Sequence, residues 1–243
     1  MSGNVHTAEV KSTEPLASAA LLSETCRDLA LPSPDIVAIK RYLGYRGLAG
    51  PSPRVAQRIM RVVSEARPCL HATGVYSLYG TRGTPRSLSF GDVTISGNIG
   101  EFMAHADRVA VFVATVGEAI SERATAARRR DDDFDGCVLD ALGSWAAEAA
   151  ADALMERVQG HLHTNEALTL RYSPGYCGMD ITEQRQLFRL VPAASIGVNL
   201  LPSSLMYPLK SISGIVGLGP TEAIASYLSA CDHCNQVGCH MRR

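Results

Sequence analysis

The sequence has no apolar run approaching the roughly 18 residues that a membrane-spanning helix needs. Its best candidate, Leu16–Leu22, is short and follows Glu14. No basic region precedes a long apolar core at the N-terminus, so no leader is expected and the expected location is cytoplasmic. With 23 Lys+Arg against 24 Asp+Glu, the net charge is −1. That balance offers neither a nucleic-acid footprint nor an electrostatic anchor for a membrane surface. The seven cysteines are odd in number and are not spaced like a secreted disulfide framework. There is no G-x-G-x-x-G after a strand, no P-loop, no H-E-x-x-H and no G-x-S-x-G, so the common nucleotide, zinc-protease and serine-hydrolase signatures are excluded. Internal repeats are also absent.

What is present fits an ordinary globular protein. The 243 residues are 46% hydrophobic and 19% charged, enough for one core or two small ones. Residues 1–15 are polar without a hydrophobic period, and a flexible segment is expected over 1–30, with a short helix within Leu16–Leu31. Ser33-Pro34-Asp35 reads as a helix cap for IVAIKRYLGY, ended by Gly47. Ser52-Pro53 repeats the signal for a helix to about Ala66, with Val55, Ile59, Val62 and Val63 on one face. This gives a helical N-terminal part to about residue 68.

Strands are expected at Thr73–Gly80 and Asp92–Gly97, and a short helix at Ile99–Ala106. Arg108–Gly117 is the strongest strand, apolar enough to be buried on both faces. A helix follows from about Glu118 to Arg130. Val138–Leu162 is a long alanine-rich helix on which Asp140, Ser144, Glu148, Asp152 and Glu156 recur every four residues. That ridge is either a solvated face or the border of a ligand cleft, with Glu148 the best-placed contact. A helix over Thr182–Leu190 with Thr182 as cap, strands at Ser195–Leu201 and Ser211–Gly219, and a last helix from Pro220-Thr221 to about Ala230 complete the reading. The irregular alternation favours an α+β class with a largely antiparallel twisted sheet and flanking helices.

The stretch from Arg171 to Gly214 carries the chemistry. In RYSPGY, Pro174 holds φ without donating a hydrogen bond and Gly175 allows a sharp turn beside exposed backbone. A guanidinium next to such backbone and a phenol suits a small ligand with a carboxylate and a flat ring. An ordinary Pro-Gly turn with a surface Arg fits the local chemistry as well. The larger pattern joins Arg171/Gly175/Tyr176 and Thr182-Glu183-Gln184 to Ser204/Met206/Pro208/Ser211/Ser213/Gly214. In order and spacing it resembles the reductive-activation domain of cobalamin-dependent methionine synthase, over roughly residues 85–219. Ala146–Val158 resembles, more weakly, the helix that precedes the family's ligand loop. Two departures stand out: the family's D-W-x-P-F-F opening, which supplies an acidic ligand contact, has no counterpart, and the loop after Tyr176 is about one residue shorter and carries Cys177.

The resemblance implies a domain over 31–230 that binds S-adenosylmethionine and presents its methyl group to cobalamin after one-electron reduction of Co(II). It also implies that Arg171 meets the ligand carboxylate, Ser173 and Gly175 offer backbone contacts, and Tyr176 covers the reactive face as the catalytic candidate. Glu148, Ser211 and Ser213 border the cleft in this reading. The chain has no D-x-H-x-x-G cobalamin signature. The cobalamin is therefore expected on a separate corrinoid protein or methionine synthase core, with reduced ferredoxin or flavodoxin as the electron source. The alternative is a metal-binding accessory or scaffold of corrinoid or one-carbon metabolism that does not bind S-adenosylmethionine.

The tail, 231–243, gathers Cys231, Cys234 and Cys239 within nine residues, with His233 and His240 between and beside them. A C-x2-C offers two sulfurs on one turn to zinc or a 4Fe–4S cluster, with Cys177, His240 or a residue from a partner as candidates for the fourth ligand. A redox-labile or disordered extension is the alternative, and Cys177 is the preferred fourth ligand if a metal binds. Protein purified without oxygen should be colourless with zinc, or brown with absorbance near ~400 nm that bleaches on reduction with a cluster. Truncation after Ala230 that leaves metal content, melting temperature and ligand affinity unchanged would remove the metal reading.

Overall fold

The computed structural model describes residues 19–45, 50–84, 86–97, 99–103, 105–176 and 178–224. Along the chain run β1 (Leu22–Cys26), α1 (Ile36–Tyr42), α2 (Pro53–Ala66), β2 (Thr73–Thr84), β3 (Ser87–Phe90) and β4 (Val93–Ser96). Then come α3 (Ile99–Phe102), β5 (Arg108–Thr115), α4 (Ala119–Arg128), α5 (Asp133–Gln159), β6 (Glu166–Leu168) and α6 (Gln184–Leu190). The chain continues through β7 (Asn199–Leu200), β8 (Met206–Tyr207), β9 (Ser211–Pro220) and α7 (Thr221–Ile224). Among the described residues, seven strands make one sheet in the order β4-β3-β2-β5-β9-β6, with β1 pairing Gly74–Leu78 of β2 on the edge opposite β5. Every pairing in it is antiparallel. The α+β, largely antiparallel architecture expected from the sequence is the one observed. No helix among the described residues is long and apolar enough to cross a membrane.

The two-residue alternation of β5 divides the core. Ala110, Phe112 and Ala114 point into one apolar cluster and Val109, Val111 and Val113 into another, all fully buried. The first cluster is roofed by α1, α2, α4 and above all α5, whose buried face is rich in alanine: Ala146, Ala150 and Ala151 are fully covered. Small side chains let the helix backbone come close to the sheet. The closeness is visible at β2, where a Cβ on Gly74 would lie 2.8 Å from the Leu154 methyls. The second cluster is closed by α3, α6 and the loops around them, through Ile99, Met103, Leu187 and Leu190. Each strand of the central pair is thus buried on both faces, as the near-continuous apolar run of β5 required.

Several helix ends are set by side chains one or two residues from where the sequence pointed. The cap of α1 is Asp35 rather than Ser33: its carboxylate accepts from the Val37 and Ala38 amides at 2.8 and 3.1 Å. That helix ends at Tyr42, with Gly44 following at φ +87°, so it stops short of the expected Gly47. The second reading was accurate, with Ser52 capping and Pro53 opening α2. Before α6 the cap is Asp180, not Thr182. Asp180 accepts from the Thr182 hydroxyl and amide, and these two bonds hold its carboxyl below the usual range.

Three elements differ more. Leu22–Cys26, expected within a helix and a flexible segment, is a strand fully in register with Gly74–Leu78 of β2, so the sheet extends N-terminal of residue 31. Its polar Glu24 accepts from the buried Tyr76 hydroxyl at 2.7 Å, and His161, just beyond the end of α5, approaches the same hydroxyl at 2.6 Å. That cross-sheet network supplies the pairing energy that a five-residue apolar/polar pattern did not announce. Ser195–Leu201, expected as a strand, is a 3-10 turn at Ala193–Ile196 followed by the two-residue β7, because Gly197 at φ +73° breaks the extension. The pairing strands β3 and β6 are short and went unread. The expected helix to Ala230 is seen over Thr221–Ile224, and its remainder lies outside the described residues.

Truncating Leu154, fully buried between α5 and β2, to alanine is expected to destabilise the fold by about 2–5 kcal/mol. Urea denaturation should show this as a lower midpoint at unchanged slope.

Candidate functional site

The site is built where the segment after β6 runs on alongside β9. Tyr172 makes an isolated two-way pair with Ile215: its amide donates to the Ile215 carbonyl at 2.8 Å and its carbonyl accepts from the Ile215 amide at 2.9 Å. The Tyr172 ring is buried against Phe102, 5.2 Å between centroids. Only glycine fits beneath this pair. A Cβ on Gly214 would lie 2.7 Å from the Tyr172 carbonyl oxygen and 2.9 Å from Ser173 Oγ, closer than real contacts allow. The terminal glycine of the SISG motif therefore serves the RYSPGY loop by leaving room for it.

With Tyr172 turned toward one cluster, Arg171 reaches the opposite side and meets the polar ridge of α5. Its Nη2 donates to Glu148 Oε2 at 3.0 Å and lies 2.9 Å from Asp152 Oδ1. Its Nη1 is buried and has no hydrogen-bond partner among the described residues. A buried guanidinium nitrogen with an unused donor is costly unless something meets it. The ridge is thus not merely solvated. One turn and two turns back, Lys210 from the start of β9 donates to Ser144 Oγ at 3.0 Å and pairs with Asp140 at 2.9 Å. Two cations from the sheet side interleave with the carboxylates of α5.

Past Arg171 the loop folds on itself. Pro174 is buried, Gly175 takes φ +89° and donates to the Met179 carbonyl, and Tyr176 donates to the Ser173 carbonyl at 3.1 Å. Tyr176 itself is 62% exposed. The structure brings Arg171 and Glu148 together, and Ser173, Gly175 and Tyr176 follow Arg171 on the loop that leaves this contact. Ser211 and Ser213 are placed differently. They share the strand parity of Ile215, which faces the second cluster, and Ser211 is occupied by Thr115 Oγ1 and the Pro208 carbonyl at 2.9 and 2.7 Å. They sit on the far face of β9 from Arg171.

The sequence pattern places Asp152 on the ridge with Glu148 as the favoured contact and does not single out Lys210; the four-residue spacing of Asp152 from Glu148 is the available signal. Among the described residues no group of three or more His, Cys, Asp or Glu is arranged to hold a metal ion. The proposed ligands Cys177, Cys231, Cys234 and Cys239 lie outside the described residues.

Comparison with known proteins adds two findings. The family model described as vitamin B12 dependent methionine synthase, activation domain, matches residues 94–229, more than half of the chain. A solved structure described as the MetH reactivation domain bound to AdoHcy aligns with a TM-score of 0.60 at 20% sequence identity. The alignment covers 88% of this chain and 84% of that one. At that identity the likeness establishes the shared fold.

Replacing Gly214 by alanine is expected to push the paired segment off β9. Hydrogen exchange should report it as lost protection at the Tyr172 and Ile215 amides, with protection in β2 retained.

Proposed function

Because the chain belongs to the activation-domain family of vitamin B12-dependent methionine synthase, we propose that it binds S-adenosylmethionine and delivers its methyl group to cobalamin on a corrinoid partner. The observation that carries this reading is Arg171, held against α5 by Nη2 while its buried Nη1 remains without an acceptor. The ligand's carboxylate is the acceptor that the donor lacks, and a charge-assisted bond in a partly dry site is strong. The ligand's ammonium has Glu148 beside it. Backbone groups of Ser173 and Gly175 border the same junction, and Tyr176 closes over the ligand.

The chemistry follows from what the partner presents. An outside one-electron donor of the ferredoxin or flavodoxin class reduces Co(II) cobalamin to Co(I). The Co(I) electron pair attacks the methyl carbon, the carbon–sulfur bond breaks with its electrons going to sulfur, and S-adenosylhomocysteine leaves. No proton is transferred, so the site needs no acid or base. Its task is to hold the sulfonium in line with the cobalt and to exclude water. A partner, either a separate corrinoid protein or a methionine synthase core, brings the cobalamin.

Calorimetry should detect S-adenosylmethionine binding, and Arg171→Ala should weaken it about ten- to a hundred-fold through loss of roughly 1.5–3 kcal/mol. Methylcobalamin should form from S-adenosylmethionine only when a corrinoid protein and a reductant are added. Undetectable binding by the wild type, or conversion of homocysteine to methionine by this chain alone, would overturn the reading.

A further inference from the structure

At the Arg171 junction two carboxylates face one guanidinium. Glu148 and Asp152 each lie within 3.0 Å of Arg171 Nη2, and the contacts bring two negative charges to one positive. The neighbouring Lys210–Asp140 pair is balanced and adds no net charge. Glu156, one turn beyond Asp152, is exposed and has no cationic partner among the described residues. The junction itself therefore carries an excess of one negative charge, and the next ridge carboxylate along α5 has the same sign. A single carboxylate would suffice to hold Arg171, and Glu148 already makes an aligned hydrogen bond to it. Asp152 needs another reason.

The charge of the ligand supplies one, on the reading that this site takes S-adenosylmethionine. Near neutral pH that molecule carries a carboxylate, an ammonium and a sulfonium, a net charge of +1. After methyl transfer the sulfonium becomes a neutral thioether and the net charge falls to zero. We propose that Asp152 is a specificity-determining residue: its surplus charge favours the sulfonium substrate over the thioether product and so aids product exchange. One helical turn, about 5.4 Å, separates it from Glu148. The screening length at physiological salt is about 8 Å, so its charge is felt across the head of a small ligand. Being exposed, it acts through charge more than through shape, and its effect is modest.

The experiment is calorimetry of S-adenosylmethionine and S-adenosylhomocysteine, which differ by the methyl group and its charge, against wild type, Asp152→Asn and Asp152→Glu. Asp152→Asn is expected to weaken S-adenosylmethionine about two- to five-fold and to leave S-adenosylhomocysteine unchanged. Asp152→Glu should keep the wild-type ratio of the two affinities, and raised salt should shrink the ratio for wild type but not for Asp152→Asn. Melting temperatures without ligand show whether the variants fold. Equal weakening of both ligands is the result of a role limited to holding Arg171, and it would overturn the inference, as would no change in either. If wild type binds neither ligand, the proposed function itself fails. If wild type binds both but Asp152→Asn leaves their ratio intact, the charge inference alone fails.

Discussion

The position of Arg171 depends on the pair of backbone hydrogen bonds between Tyr172 and Ile215, made over the bare Cα of Gly214. Those bonds fix one residue of the segment to β9, beyond the end of β6. Strand alternation then sends neighbouring side chains to opposite faces. Tyr172 goes to the second apolar cluster, where its ring packs on Phe102, and Arg171 goes to the face roofed by α5. A loop anchored only at its ends would leave a long cationic side chain free to follow solvent. Here the geometry of the guanidinium is inherited from a buried sheet.

The long helix serves two purposes with one sequence period. Its alanine face allows close approach to β2 and β5, and the same four-residue spacing lines up Asp140, Ser144, Glu148 and Asp152 along its border. Because the helix lies close, those short polar side chains reach cations rooted in the sheet side, Lys210 and Arg171. Bulkier residues on the packed face would lift the ridge away from both. Core packing and site electrostatics are therefore coupled: a change that widens the gap between α5 and the sheet loosens the site as well.

The loop between Pro174 and Asp180 has a division of labour that follows from its residue types. Pro174 is buried and limits φ, while Gly175 and Gly178 take positive φ and reverse the chain. Asp180 then caps the turn that leads into α6. Between these fixed points Tyr176 is left exposed, five residues along the chain from Arg171. The family match covers this loop, α5 and β9 together, so the elements that build the junction are those shared with the activation domains.

Local chemistry in the sequence determined a good deal. The Ser52-Pro53 start of α2, the doubly buried β5 and the alanine-rich α5 were legible because capping, apolar continuity and helical period are properties of neighbouring residues. The R-x-x-x-G-Y loop and the SISG strand were legible as a motif. Tertiary structure alone decided which residues of that motif share a face of the sheet. Ser211 and Ser213 were grouped with Arg171 by proximity in the pattern, yet strand parity puts them on the far face of β9, and parity has meaning only once the sheet exists. The strand at Leu22–Cys26 was hidden for a related reason: its stability comes from pairing with β2, fifty residues away, and from the Glu24–Tyr76–His161 contacts, none of which a local window contains. Asp152 read as one member of a solvated ridge until the sheet brought a guanidinium to it. Spacing specifies a face of a helix, but what that face meets is set by long-range packing.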